Sequence, residues 1–241
     1  MQMHSLKKMG VWLTLATLTT GMAHAESLAD RRGSHHSGKH HSSSHHSHSH
    51  RCVLPASRCD ILRRGCNDLR LFVGDLNRIF LAEAISGLTP TDPLIASYVN
   101  AVNTAPIGSI TTAAVDFGNL LTSLGVDQDL SNQVVAALDA YALAAENFSA
   151  AVVSGVHVSG TLLAWQVQAN ALAQALANAS GVKISQLNDL IDQFLNNQAT
   201  HIQAYNTANF TLAVEETARG FQLATEISDL VIGKLIRHCR E

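Results

Sequence analysis

The strongest constraint on this chain is a pair of long apolar seams with no proline in either. From Ile184 to His238, the residues Leu187, Ile191, Phe194, Ile202, Tyr205, Leu212, Ala213, Leu223, Ile227, Leu230 and Ile236 supply an apolar stripe along a helix. A second seam precedes it between Asp127 and Asn178. Leu130, Val134, Leu138, Tyr141, Ala145 and Phe148 line its first part, and Leu162, Trp165, Ala169, Leu172 and Leu176 continue it. Gly155 and Gly160 interrupt the run, and residues 152–159 have some strand character. A lone strand would have no partner, so the segment reads as a kinked helix. Asn178-Ala-Ser-Gly181 supplies a turn between the seams. Two stripes of matching length joined by a tight turn predict a long antiparallel helical hairpin over about 127–238. The alanines of residues 135–179 raise helix propensity and suit close helix approach.

Shorter helices precede the hairpin, within about 66–124. Residues 66–86 carry Leu69, Leu71, Phe72, Leu76, Ile79, Phe80, Leu81 and Ile85, with Asn67 or Asp68 as cap, and Pro90 and Pro93 end the run. A short helix over 93–102 would use Asp92 as cap and Pro93 as its first residue. Pro106 and Gly108 break the chain again, and a helix over 109–124 closes at Gly125. No set of strands suits an α/β sheet. The expected fold class is all-α: a helical domain over 52–241, a bundle dominated by the long hairpin, preceded by a disordered His/Ser-rich arm.

The first 25 residues read as a secretory signal peptide: Lys7 and Lys8, an apolar segment from Met9 to Ala23, then Ala23-His24-Ala25 at the cleavage positions. The expected location is secreted, or periplasmic if the source is bacterial. No other segment is long and apolar enough for a stable transmembrane span. Residues 26–51 form the arm. Its centre, from Ser34 to His50, holds only His, Ser, Gly and Lys, so ordering it would bury no apolar surface.

The four cysteines are Cys52, Cys59, Cys66 and Cys239. In an exported chain an even number favours two disulfides. All three pairings remain open, and each ties Cys239 back to one of the other three. The wide spacing lacks the tight pair of common zinc knuckles. Asn147-Phe-Ser, Asn178-Ala-Ser and Asn209-Phe-Thr are N-glycosylation sequons, and Asn178 is expected at the hairpin turn.

Chemistry concentrates in the arm. His35, His36, His40, His41, His45, His46, His48 and His50 offer imidazole nitrogens to Zn(II), Ni(II) or Cu(II) near neutral pH, without a fixed geometry to select one ion. Their protonation below about pH 6.5 would charge the arm. No required cofactor is indicated. A Gly-x-Ser-x-Gly elbow, a His-Glu-x-x-His pair and a phosphate loop are all missing from the sequence. His157, His201 and His238 read as packing or surface residues. Asp189 with Asp192 and Glu215 with Glu216 read as solvated faces. Basic and aromatic residues do not interleave as single-stranded nucleic acid requires. Outside the arm and its flank the chain is acidic, which argues against nucleic-acid binding.

The leading functional expectation is therefore a non-enzymatic exported protein that acts through a protein partner or self-association of its helical hairpin. Transition-metal capture by the arm is one alternative. A membrane-active helical protein, inserting residues 150–164, is another.

Overall fold

Helix formation starts at Ser57, nine residues ahead of the expected start. The Ser57 hydroxyl accepts from the Asp60 backbone N–H (3.2 Å) and donates to the Asp60 carboxylate (2.6 Å). This reciprocal cap satisfies the first turn of α1 (Arg58–Leu88), and Asp60 also suits the positive end of the helix dipole. The computed structural model describes residues 57–88 and 106–238, all within one compact unit spanning residues 48–241. The signal segment 1–25, the arm 26–51 with its eight histidines, the expected helix 93–102, Cys52 and Cys239 lie outside the described residues.

Among the described residues there are six helices and no strand. After α1 come α2 (Pro106–Ser123), α3 (Gln128–Ser154), α4 (Val158–Ser180), α5 (Ile184–Asn206) and α6 (Phe210–His238). The fold is an all-α bundle. The expected pairing within it changes, because each seam of the expected hairpin is itself a hairpin. Gly155 closes α3 with φ +72° and donates to the Ala151 carbonyl (2.8 Å), and two residues later His157 also adopts a left-handed conformation at φ +59°. Two left-handed residues that close together reverse the chain instead of kinking it. α3 and α4 then pack antiparallel, with Tyr141 and Phe148 of α3 against Trp165 of α4 at ring separations of 5.4 and 5.5 Å.

The second seam breaks at Thr207–Asn209, where neither glycine nor proline marks it. Ala208 takes φ +56°, the Asn209 N–H returns to the Ala204 carbonyl (2.8 Å), and the Asn209 side chain accepts from Leu212 N–H (3.3 Å) to start α6. The expected turn between the seams is present one step later: Gly181, at φ +70°, ends α4 and donates to Ala177. Asn178 consequently sits in the last turn of α4 rather than in the loop.

The core is aromatic at its centre. Tyr141 is fully buried and meets Phe72 of α1, Trp165 of α4 and Phe194 of α5, the last nearly parallel at 5.6 Å. One ring thus joins four helices, and burying each such side chain contributes roughly 2–3 kcal/mol. Around it pack Leu69, Leu76, Leu138, Leu172, Leu176 and Ile191.

Candidate functional site

Two places in the bundle carry features beyond a plain apolar core. The first is an interior polar seam between α1, α5 and α6. Gly220 of α6 leaves room for it: a methyl there would meet Gln198 Nε2 at 2.8 Å, Asn197 Oδ1 at 2.9 Å and Val73 of α1 at 3.4 Å. Asn197 Nδ2 donates to the backbone carbonyl and the carboxylate of Glu216, and Gln198 Nε2 donates to Asn197 Oδ1 (2.7 Å). His201, one turn along α5, is fully buried. It lies against Tyr205 (4.6 Å) and edge-on to Phe80 (6.2 Å), with Nε2 3.3 Å from Thr217 Oγ1. Burial holds its pKa down at about 4.

Asn77 stands between Val73 and Phe80 along α1, so helical spacing places it on the same side of that helix. It is buried, and neither atom of its amide finds a partner among the described residues; the same is true of Gln198 Oε1 and His201 Nδ1. The Thr217–His201 contact resembles a hydroxyl–base pair only in outline. The Thr217 hydroxyl already donates to the Ala213 carbonyl (2.9 Å), and an imidazole with a pKa near 4 is a weak proton acceptor at neutral pH. The seam instead fixes how α5 lies on α6, since the Asn197 and Gln198 amides tolerate only the register that pairs them with Glu216.

The second place is the outer face of α3 and α4. Helix α4 contains no Asp, Glu, Lys, Arg or His in its 23 residues. Its inner side buries Trp165, Ala169, Leu172, Ala173 and Leu176. Its outer side exposes Leu163 (63%) and Val167 (57%) with Ala164 and Ala171. Leu143 of α3 (60% exposed) lines a groove of about 390 Å³ between α3 and α4, together with Ala140, Asn147, Thr161, Ala164 and Gln168. Val156, in the turn between α3 and α4, is 54% exposed. The charge-free surface of α4, with its exposed aliphatic residues, is weakly hydrated for a surface helix and gains free energy when covered, whereas Asp139 and Glu146 of α3 stand one turn to either side of Leu143.

The sequence-derived site residues fall into separate places. Cys59 is exposed and Cys66 half-buried, and the two are not bonded to each other. Seven residues apart on one helix, their backbones are about 10 Å apart along the axis, beyond disulfide reach. The pairing that would join Cys59 to Cys66 is therefore excluded. Asn147 is exposed in the middle of α3, with Phe148 and Ser149 of its sequon buried. Asn178 is exposed but helical, and its Oδ1 accepts from Gln174 (2.8 Å). Asn209 is the sequon residue at an exposed turn, where it also caps α6.

Asp189 and Asp192 are exposed, as expected of a solvated face. Glu216 is half-buried and bonded to Asn197. Residues 150–164 comprise the end of α3, a three-residue turn and the start of α4. Among the described residues, no helix is long and apolar enough to cross a membrane, and no group of three or more His, Cys, Asp or Glu is placed to hold a metal.

The polar seam was not foreseen from the sequence. Its one signal is the run Asn196-Asn197-Gln198 inside the apolar stripe of α5. In comparisons with family models, with curated proteins and with solved structures, the chain matches none of them significantly.

Proposed function

We propose that this chain is an exported helical interaction protein that associates with copies of itself through the outer face of α3 and α4. The observation that carries the reading is the uncharged helix α4, which holds Leu163 and Val167 outward. A face without charge offers nothing to steer a charged partner, whereas it is complementary to itself. Two-fold pairing would stack small residues (Ala164, Ala171) and aliphatic ones across the axis. The size is adequate. A helix of 23 residues is about 35 Å long, and two adjacent helices present roughly 700 Å², close to the ~800 Å² per partner of a stable interface. The export signal read in residues 1–25 supports an extracellular setting for this assembly.

The test is sedimentation of the full chain from low to high micromolar concentration, beside the double variant Leu163→Glu/Val167→Glu. A reversible dimer or larger assembly is expected for the parent chain, and a monomer of unchanged helicity for the variant. A parent chain that stays monomeric throughout, or a variant that associates equally well, overturns the proposal. The same face inserting into lipid would show instead as vesicle leakage by a monomeric chain.

A further inference from the structure

A groove of about 630 Å³ opens between α1 and α6, and its two walls differ in character. On the α1 side stand Arg70, Leu71, Gly74 and Arg78; on the α6 side stands Phe221. Arg70, Gly74 and Arg78 follow one another at four-residue steps and form one ridge of α1, with the backbones of the two arginines about 12 Å apart along the axis. Gly74 opens the middle of that ridge, since a methyl there would meet no atom within 4 Å. Leu71 beside it is exposed. On α6, Val214 and Phe210 lie two and three turns before Phe221 on the same side of the helix, and both are exposed. A methyl at Gly65 would meet Ser228 and Ile232, and one at Gly220 would meet Val73, so the two helices run antiparallel and Arg78 is level with the turn that carries Val214. The charges leave one cation in surplus. Arg78 pairs with Asp75, which is buried. Arg70 lies over the Phe221 ring at 5.2 Å and makes no ion pair with any described residue. Of the acids on α6 near Val214, Glu216 accepts from Asn197 of α5, and Glu215 points about 100° round the helix from Val214. Stacking on a ring orients a guanidinium while leaving its N–H edge open to a carboxylate.

We propose that the α1–α6 groove docks an acidic amphipathic helix of a protein partner, with two carboxylates toward Arg70 and Arg78 and an aliphatic side chain between them over Gly74. A helix with Glu at two positions seven residues apart and Leu midway meets that spacing, since seven residues span about 10 Å. The sign of the partner follows from charge complementarity: two guanidinium groups on one wall and a single, buried carboxylate. Its apolar part follows from Leu71, Phe221 and Val214, which gain free energy when covered. An anionic bilayer is the poorer match, because such surfaces recruit clusters of roughly four to eight basic residues, whereas two arginines flank a concave groove here. The inference does not depend on the self-association reading, because it concerns α1 and α6 rather than the α3–α4 face; either can fail alone.

The probe is a fluorescein-labelled helical peptide with Glu and Leu at that spacing on an Ala/Gln background, beside a counterpart carrying Lys for each Glu. Fluorescence anisotropy with the full chain is expected to show saturable binding of the Glu peptide at micromolar concentration, weakened by added salt, and none of the Lys peptide. Arg70→Glu should weaken binding by about tenfold, since it replaces an attraction with a repulsion. Gly74→Trp should abolish it with helicity unchanged, because the new side chain enters open space and fills the groove. The α4 double variant Leu163→Glu/Val167→Glu should bind the peptide as the parent chain does. No binding of the Glu peptide up to high micromolar concentration, equal binding of the Lys peptide, or parental binding by both Arg70→Glu and Gly74→Trp overturns the proposal. Two further results reassign the groove and overturn it as well. One is co-sedimentation with phosphatidylserine vesicles that Arg70→Glu abolishes while the peptide fails to bind. The other is loss of self-association in Gly74→Trp, which would make a second copy the occupant.

Discussion

The α3–α4 pair and the α1–α6 pair are both antiparallel, yet they are held by different means. Aromatic rings and alanines join α3 to α4: Trp165 lies between Tyr141 and Phe148, and Ala142, Ala145, Ala169 and Ala173 bring the backbones close. Glycine seats set α1 on α6, where Gly65 accommodates Ser228 and Ile232 and Gly220 accommodates Val73 and the amides of α5. Their outer faces differ in the opposite sense. Near α1 and α6 the surface is charged: Arg70 sits 5.2 Å over the Phe221 ring, Arg78 pairs with Asp75, and Arg63 pairs with Asp60 at 2.9 Å. Over α4 there is no charge at all. Both pairs expose aliphatic or aromatic residues, Leu71, Phe210 and Val214 on α1 and α6 and Leu143, Leu163 and Val167 on α3 and α4, so the outer contrast lies in charge, which α4 alone lacks.

The comparison breaks most severely at Trp165. Its side chain is fully buried between two aromatic neighbours of α3. Trp165→Ala is expected to cost about 3–5 kcal/mol, or a fall in Tm on the order of 10 °C, through lost contacts and the cavity left behind. Leu163→Ala, two residues away on the exposed side, should change stability by less than about 0.5 kcal/mol. Urea unfolding of both variants checks this. Similar costs for the two would mean that α3 and α4 are not joined through the aromatic cluster.

A smaller effect sharpens the charged side of the comparison. Asp68 of α1 has its pKa raised from 3.8 to about 6, first by burial and then by Asp116 of α2, with Arg64 opposing. The folded protein thus takes up a proton near pH 6 that the unfolded chain takes up only near 3.8. Asp68 therefore lowers stability above pH 6, and the penalty is relieved as pH falls toward 4. His201 acts in the other direction. Its pKa is about 4 when folded and 6.5 when unfolded, so its contribution is present above pH 6.5 and lost as pH falls to 4. The two partly cancel in the same window.

Asp68→Asn should raise stability at pH 8 by about 1 kcal/mol, a modest figure because the site is only half-buried and water screens it. At pH 4 it should do little, and the variant should lose stability more steeply between pH 6.5 and 4 than the parent. Thermal melts across pH 4–8 read both. An equal gain at pH 4 and pH 8 would assign the effect to packing rather than to the proton.

The all-α class and most of the apolar seam were legible in the sequence, because period and composition report directly which residues face a core. Tyr141, Phe194, Leu187, Ile191 and Ile227, named from spacing, are all buried. Leu81, Leu162 and Leu212 are only partly covered and Leu71 is exposed, since a stripe read from one helix does not say how far its neighbours extend. The early start of α1 was not legible, because Asn67 and Asp68 offered caps at the head of the apolar run while the cap in use, Ser57 with Asp60, precedes a turn rich in Arg and Cys. The polar seam and the α4 face were not legible. Burial of Asn197, Gln198 and His201 depends on which helices surround α5, and Leu163 counts as core or surface only once the direction of α4 is known.

The two chain reversals show the same limit, and they support the smallest of these predictions. Gly155 announces its turn because glycine reaches φ +72° without penalty, whereas Ala208 makes an equivalent reversal at φ +56° with a side chain that disfavours it. A methyl at Gly155 would meet no atom within 4 Å, so any cost of Gly155→Ala is conformational rather than steric. Gly155→Ala should therefore destabilise by about 1 kcal/mol. Ala208→Gly should stabilise by about 0.5–1 kcal/mol, the relief of the left-handed strain less the entropy that glycine adds to the unfolded chain. Opposite signs in parallel denaturation curves are the expected result. If Ala208→Gly also destabilises, the Thr207–Asn209 reversal is not strained at Ala208. The hydrogen bonds from Thr207, Ala208 and Asn209 back to the end of α5 would then be enough to define the turn without help from glycine.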